Sequence, residues 1–126
     1  MRSIGVVSVA RSDYGIYLTL LRRIKNDPDS NLLLIVTGMH LSPEFGMTVN
    51  RIEDDGFKIH RKIEMLVSSD TAIGTGKSIG LGTIGFAELY GEGQIDLLVV
   101  LGDRFEMLTA VVASLPFDIP IAHIHG

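Results

Sequence analysis

No cysteine occurs in the 126 residues, so disulfides and thiolate metal sites are excluded, and a reducing cytoplasm is the expected location. No apolar run is long enough to cross a bilayer. The N-terminal stretch from Met1 to Ala10 carries one basic residue, Arg2, ahead of a short apolar segment, and it reads as a first strand rather than a signal sequence. An excess of basic charge is also missing. Lys and Arg number 11 against 15 Asp and Glu, a net charge of -4, so neither nucleic acid nor an anionic membrane is an expected partner. Any phosphate site must therefore be local. Linkers, internal repeats and low-complexity tracts are absent as well, and at 46% hydrophobic and 21% charged residues the chain has the composition of one globular domain.

What is present is an alternation of strand and helix signals. Ile4 to Val9 is rich in β-branched residues and ends at Ala10-Arg11-Ser12-Asp13-Tyr14-Gly15. Tyr17, Leu20, Leu21 and Ile24 then follow at helical spacing. Asn31 to Gly38 makes a second buried strand, and Met39 to Gly46 reads as a loop without regular structure. A short helix is expected around Thr48 to Asp54, followed by an edge strand from Phe57 to Glu64, whose apolar and charged residues alternate. Between Asp70 and Tyr90, five glycines fall among apolar residues. Only the second half reads as a helix, since each glycine costs about 1 kcal/mol relative to alanine unless close packing compensates. Ile95 to Leu101 is the fourth strand, a helix runs from Arg104 to about Leu115, and Ile121 to Ile124 is the fifth strand. The expected fold is a three-layer, Rossmann-like α/β domain with a mainly parallel sheet of about five strands.

The centre of this pattern is Leu101-Gly102-Asp103-Arg104-Phe105-Glu106, where a buried strand turns into a helix. Ligands of open α/β sheets sit outside the carboxyl ends of the strands. Arg104 suits a phosphate there, assisted by the free N–H groups of the helix start, and Asp103 suits a sugar hydroxyl or a proton transfer. The plainer alternative is that Asp103 is an N-cap and Glu106 completes an Asp-x-x-Glu capping box. With a strand order of 3-2-1-4-5, strands 1 and 4 are neighbours, and the crevice opens between the Arg11 loop and the Asp103-Arg104 loop. Two arginines and a carboxylate then suit a diphosphate plus a proton transfer.

Three other motifs compete. Gly74-Thr75-Gly76-Lys77-Ser78 resembles the end of a P-loop, but Thr71 stands where its first glycine belongs. Gly80-Leu81-Gly82-Thr83-Ile84-Gly85 matches the dinucleotide fingerprint and makes an NAD(P)- or FAD-dependent oxidoreductase an alternative, although no strand directly precedes it. His123-x-His125 places two imidazoles on one face of a strand but lacks a third metal ligand, so hydrogen bonding is the simpler role. His40, in a loop after a strand, is a candidate ligand contact.

Taken together, the stretches at 10–15, 37–46, 78–82, 101–108 and 121–126 resemble the N-terminal half of the hydrolysing UDP-N-acetylglucosamine 2-epimerases. The resemblance implies that residues 1–126 form the first of two Rossmann-like domains in a GT-B arrangement, with the nucleotide sugar in the cleft between them. It also implies conversion of UDP-GlcNAc, or a related UDP-sugar, to N-acetylmannosamine and UDP for sialic or nonulosonic acid synthesis. UDP elimination gives a glycal, which is then hydrated. Arg11 would hold the UDP moiety, Arg104 would contact the nucleotide sugar, Asp103 would be a catalytic carboxylate, and His40 would line the sugar pocket. No cofactor or metal is expected, and the complete protein is expected to be a homo-oligomer. The family carries a proton-transferring glutamate shortly after the position of Gly126, so the chain is expected to be an N-terminal fragment that is inactive by itself. A non-catalytic sugar-nucleotide-binding module is the alternative from another class.

Overall fold

In the computed structural model, residues 1–43, 48–67 and 70–124 are described. Five strands form one wholly parallel sheet: β1 (Arg2–Ser8), β2 (Ser30–Thr37), β3 (Ile59–Ile63), β4 (Leu97–Leu101) and β5 (Ile121–Ile124), in the order β3-β2-β1-β4-β5. This is the expected order, with β1 central between β2 and β4 and with β3 at an edge. Val6, Val7, Leu34, Ile35, Leu98 and Val100 are almost wholly inaccessible, because strands covered on both faces need apolar residues on both.

Helices α1 (Arg11–Asn26), α2 (Val49–Asp54), α3 (Ala72–Tyr90) and α4 (Phe105–Ser114) connect the strands. Right-handed crossovers put α1 and α2 on one face of the sheet and α3 and α4 on the other. On the first face Tyr14 of α1 packs edge-on against Phe57 and donates its hydroxyl hydrogen to Asp55 at 2.6 Å. On the second face, α3 and α4 lie side by side. No helix among the described residues is long and apolar enough to cross a membrane.

Two expectations about local structure need correction. Met39 to Leu41, expected to be irregular, belong to a 3-10 turn over Gly38–Leu41 that begins at the expected last strand residue, while residues 44–47 of the same loop lie outside the described residues. The glycine-rich segment is helical from Ala72 onward, not only in its second half, and Thr71 caps it by accepting the Gly74 N–H at 3.0 Å. Close packing explains why the glycines are tolerated. A Cβ on Gly82 would lie 2.6 Å from Met65 Cε and 2.9 Å from Thr109 Cγ2, and one on Gly85 would lie 2.7 Å from Ile63 Cγ2. The helix approaches β3 and α4 through the missing side chains.

Candidate active site at the carboxyl edge of β1, β2 and β4

The P-loop and dinucleotide readings both fail on position, because residues 74–78 and 80–85 lie inside α3. Their backbone N–H groups serve the helix rather than a phosphate, and Ser78 is buried, its hydroxyl oxygen accepting the Val67 N–H at 3.1 Å. The carboxyl ends of β1 and β4, by contrast, open directly into the first turns of α1 and α4.

Arg11 is the first residue of α1 and is exposed. Beneath it lies a buried polar chain. Asp13, two residues further, turns its carboxylate back so that Oδ2 accepts the N–H groups of Val9 and Ala10, each at 2.9 Å. Its other oxygen accepts the Ser8 hydroxyl at 2.5 Å. Since Ser8 has one hydrogen and gives it to Asp13, its oxygen must accept from His40 Nε2, 2.8 Å away. The His40 Nδ1 is then an acceptor for the Thr48 hydroxyl at 2.6 Å. Burial holds the imidazole neutral by lowering its pKa to about 4. Burial also pushes the Asp13 carboxyl above its usual range, while its hydrogen bonds and the nearby Arg104 guanidinium pull the other way. The sequence reading did not pick out Ser8 or Asp13 as functional. A serine at the end of an otherwise apolar buried strand was the available signal, since buried polar groups demand partners.

His40, expected to contact the ligand, is wholly buried with both ring nitrogens engaged by Ser8 and Thr48, so it presents no free polar atom.

At the end of β4, Gly102 turns the chain with φ of 77°. His123 of β5 steadies this turn by donating from Nε2 to the Gly102 carbonyl at 2.6 Å. His125 lies outside the described residues. Among the described residues no group of three or more His, Asp or Glu side chains is placed to hold a metal ion.

Asp103 is exposed, and the capping-box expectation for it is overturned. The N-cap of α4 is Arg104, with no side-chain cap bond, and Asp103 has no hydrogen-bond partner among the described residues. Glu106 has a different partner. It is wholly buried and accepts from Arg104 through both oxygens, Nε to Oε1 at 3.3 Å and Nη2 to Oε2 at 3.1 Å. The same Nη2 lies 3.3 Å from Met39 Sδ. Gly38 makes room for this arrangement: its φ is 61°, and a Cβ there would stand 2.7 Å from Val9 Cγ1 and 3.2 Å from Glu106 Oε2. Sequence spacing singled out Glu106 but assigned it to the wrong partner.

An α/β domain with two arginines and a free carboxylate at the crevice beside its central strand belongs to the Rossmann-like class that receives anionic ligands at this edge. The comparisons narrow the class. The chain belongs to the UDP-N-acetylglucosamine 2-epimerase family, whose profile matches residues 22–126. It is 40% identical over 99% of its length to a GDP/UDP-N,N'-diacetylbacillosamine 2-epimerase (hydrolyzing) of Campylobacter jejuni. It is 37% identical over its whole length to a UDP-N,N'-diacetylbacillosamine 2-epimerase (hydrolyzing) of Legionella pneumophila. The chain spans about a third of the length of these relatives, 32% and 33% respectively. Its fold matches the crystal structure of the Neisseria meningitidis UDP-GlcNAc 2-epimerase bound to UDP-GlcNAc, with a TM-score of 0.79 at 14% identity, covering 98% of this chain and 31% of that one.

Proposed function

We propose that this chain is the N-terminal domain of a hydrolysing UDP-sugar 2-epimerase that converts UDP-N-acetylglucosamine to N-acetylmannosamine and UDP, supplying sialic or nonulosonic acid synthesis. One observation carries this reading: the β4 turn presents a half-exposed guanidinium and an unpaired carboxylate beside the β1 turn that presents Arg11. Arg11, Arg104 and the N–H groups at the starts of α1 and α4 hold the diphosphate and stabilise it as it leaves. Asp103 takes part in proton transfer at the sugar. A base removes the C2 proton while the C1–O bond to UDP breaks. Water then adds across the resulting double bond, its oxygen to C1 and a proton to C2, from the face that gives the manno configuration. In this reading a second domain and a glutamate beyond Gly126 complete the site, and His40 supports the Arg11 loop from behind.

The two diacetylbacillosamine relatives add a nucleotide-linked diacetamido sugar as a second candidate substrate beside UDP-GlcNAc. Release of UDP from each sugar nucleotide by the complete enzyme, with solvent deuterium entering C2 of the product, tests the reaction and ranks the substrates. Calorimetry with UDP tests the site. Arg104→Ala should weaken binding by about 1.5–3 kcal/mol, the range for charge-assisted hydrogen bonds, and unchanged affinity would remove Arg104 from the site. The same reading places the enzyme in the cytoplasm as a homo-oligomer, which fractionation and sedimentation check.

A further inference from the structure

We propose that Glu106 is a positioning residue that fixes the guanidinium of Arg104 so that its Nη1 edge is offered to the diphosphate. The inference rests on the functional reading above and adds a residue to it. A free arginine side chain samples many rotamers, and holding it in one before the ligand arrives removes that ordering cost from binding. Here the restraint is double. Both Glu106 oxygens are used, on Nε and Nη2, and Met39 Sδ lies against Nη2. The fork is thus gripped along one side, while Nη1 has no partner among the described residues and 45% of the side chain is exposed. Glu106 cannot readily yield, because it is wholly buried in the first turn of α4 and its carboxylate fills the space left by the missing side chain of Gly38.

Charge and position predict opposite effects here, which makes the proposal testable. A carboxylate about 3 Å from the guanidinium cancels part of the charge that attracts a phosphate, so on charge alone its removal should tighten UDP binding. If Glu106 works by position, its removal should loosen binding. The Glu106→Gln amide offers one acceptor and one donor where two acceptors are needed, so one of the two Arg104 bonds is lost.

The experiment is calorimetry with UDP on the complete enzyme, for wild type, Glu106→Gln, Glu106→Asp, Arg104→Ala and the Arg104→Ala/Glu106→Gln double variant, with the unfolding midpoint of each. Glu106→Gln and Glu106→Asp should each weaken UDP roughly tenfold, the equivalent of one hydrogen bond to a charged group. Aspartate keeps the charge but is too short to hold both nitrogens, so it also serves if the glutamine variant does not fold. Adding Glu106→Gln to Arg104→Ala should weaken UDP no further, and it should raise the midpoint by relieving an unpaired buried carboxylate. Tighter or unchanged binding in both Glu106 variants overturns the proposal, as does an equal loss in the Arg104→Ala background. If Arg104→Ala itself binds UDP normally, the functional reading falls and the proposal with it. A normal response of Arg104→Ala with silent Glu106 variants removes only the proposal.

Discussion

The buried His40 yields a stability profile that can be worked out before it is measured. Its pKa falls from 6.5 in the unfolded chain to about 4 in the fold, because the imidazole is wholly inaccessible and no carboxylate among the described residues touches it. Below pH 6.5 the unfolded chain therefore binds a proton that the folded chain refuses, so stability falls as the pH drops and the loss levels off below pH 4. Integrating between these values gives a loss of about 2 kcal/mol by pH 5 and about 3 kcal/mol by pH 4, a large fraction of a typical domain's stability. Asp13, whose carboxyl is raised, acts in the opposite sense as its own pKa is passed, and that contribution is shared by wild type and a His40 variant. The assay is urea unfolding at pH 7.5, 6, 5 and 4.5 for the wild type and for His40→Gln, which cannot titrate. The variant should be less stable at pH 7.5, having lost a fitted partner for Ser8 and Thr48, but its decline between pH 7.5 and 5 should be shallower by about 2 kcal/mol. The His40 imidazole resonances of the folded protein should stay unprotonated through pH 5. Identical slopes in the two proteins, or a His40 imidazole that titrates near 6.5, would refute the account of His40 as a neutral, fully engaged group.

Other expectations can be checked independently. Asp103→Asn should leave the unfolding midpoint unchanged, since Asp103 caps nothing, but should lower turnover of the complete enzyme by roughly 10²–10⁴-fold; near-normal turnover would remove Asp103 from the chemistry. Gly82→Ala should destabilise by about 1–3 kcal/mol in thermal unfolding, because its methyl would meet both Met65 and Thr109. Gly80→Ala, two positions earlier in the same helix and facing open space, should stabilise by up to about 1 kcal/mol.

Much of the fold could be read from residue order because parallel strands buried on both faces announce themselves as apolar runs. Val6-Val7, Leu33 to Val36 and Leu98 to Leu101 are such runs. The glycines of α3 were misread because local propensity and tertiary packing oppose one another there. Only the positions of Met65, Thr109 and Ile63, distant in sequence, explain why Gly82 and Gly85 fit inside a helix. At the candidate site, the strand-to-helix junctions at Arg11 and Asp103-Arg104 were legible because apolar runs stop there and helical spacing begins. The inner wiring was not. Asp103-x-x-Glu106 satisfies the spacing of a capping box, yet the side chain of Glu106 lies closer to Arg104, and spacing along one helix cannot report that competition. Nor could spacing show that His40 meets Ser8, 32 residues away in the chain.

The central position of β1 carries a consequence for how the chain acquires its structure. Its first neighbour, β2, ends at Thr37, but its second, β4, begins only at Leu97. At translation rates of about 5–20 residues per second, the 60 residues from Thr37 to Leu97 separate the two pairing events by roughly 3–12 s. Throughout that interval one edge of a strand whose only charged residue is Arg2 and which contains Val6 and Val7 remains open to any other extended segment. Closure of this edge also depends on contacts distant in sequence, which form slowly. Of the five strands, the one that leads into Arg11 is thus the first to be synthesised and among the last to be sealed.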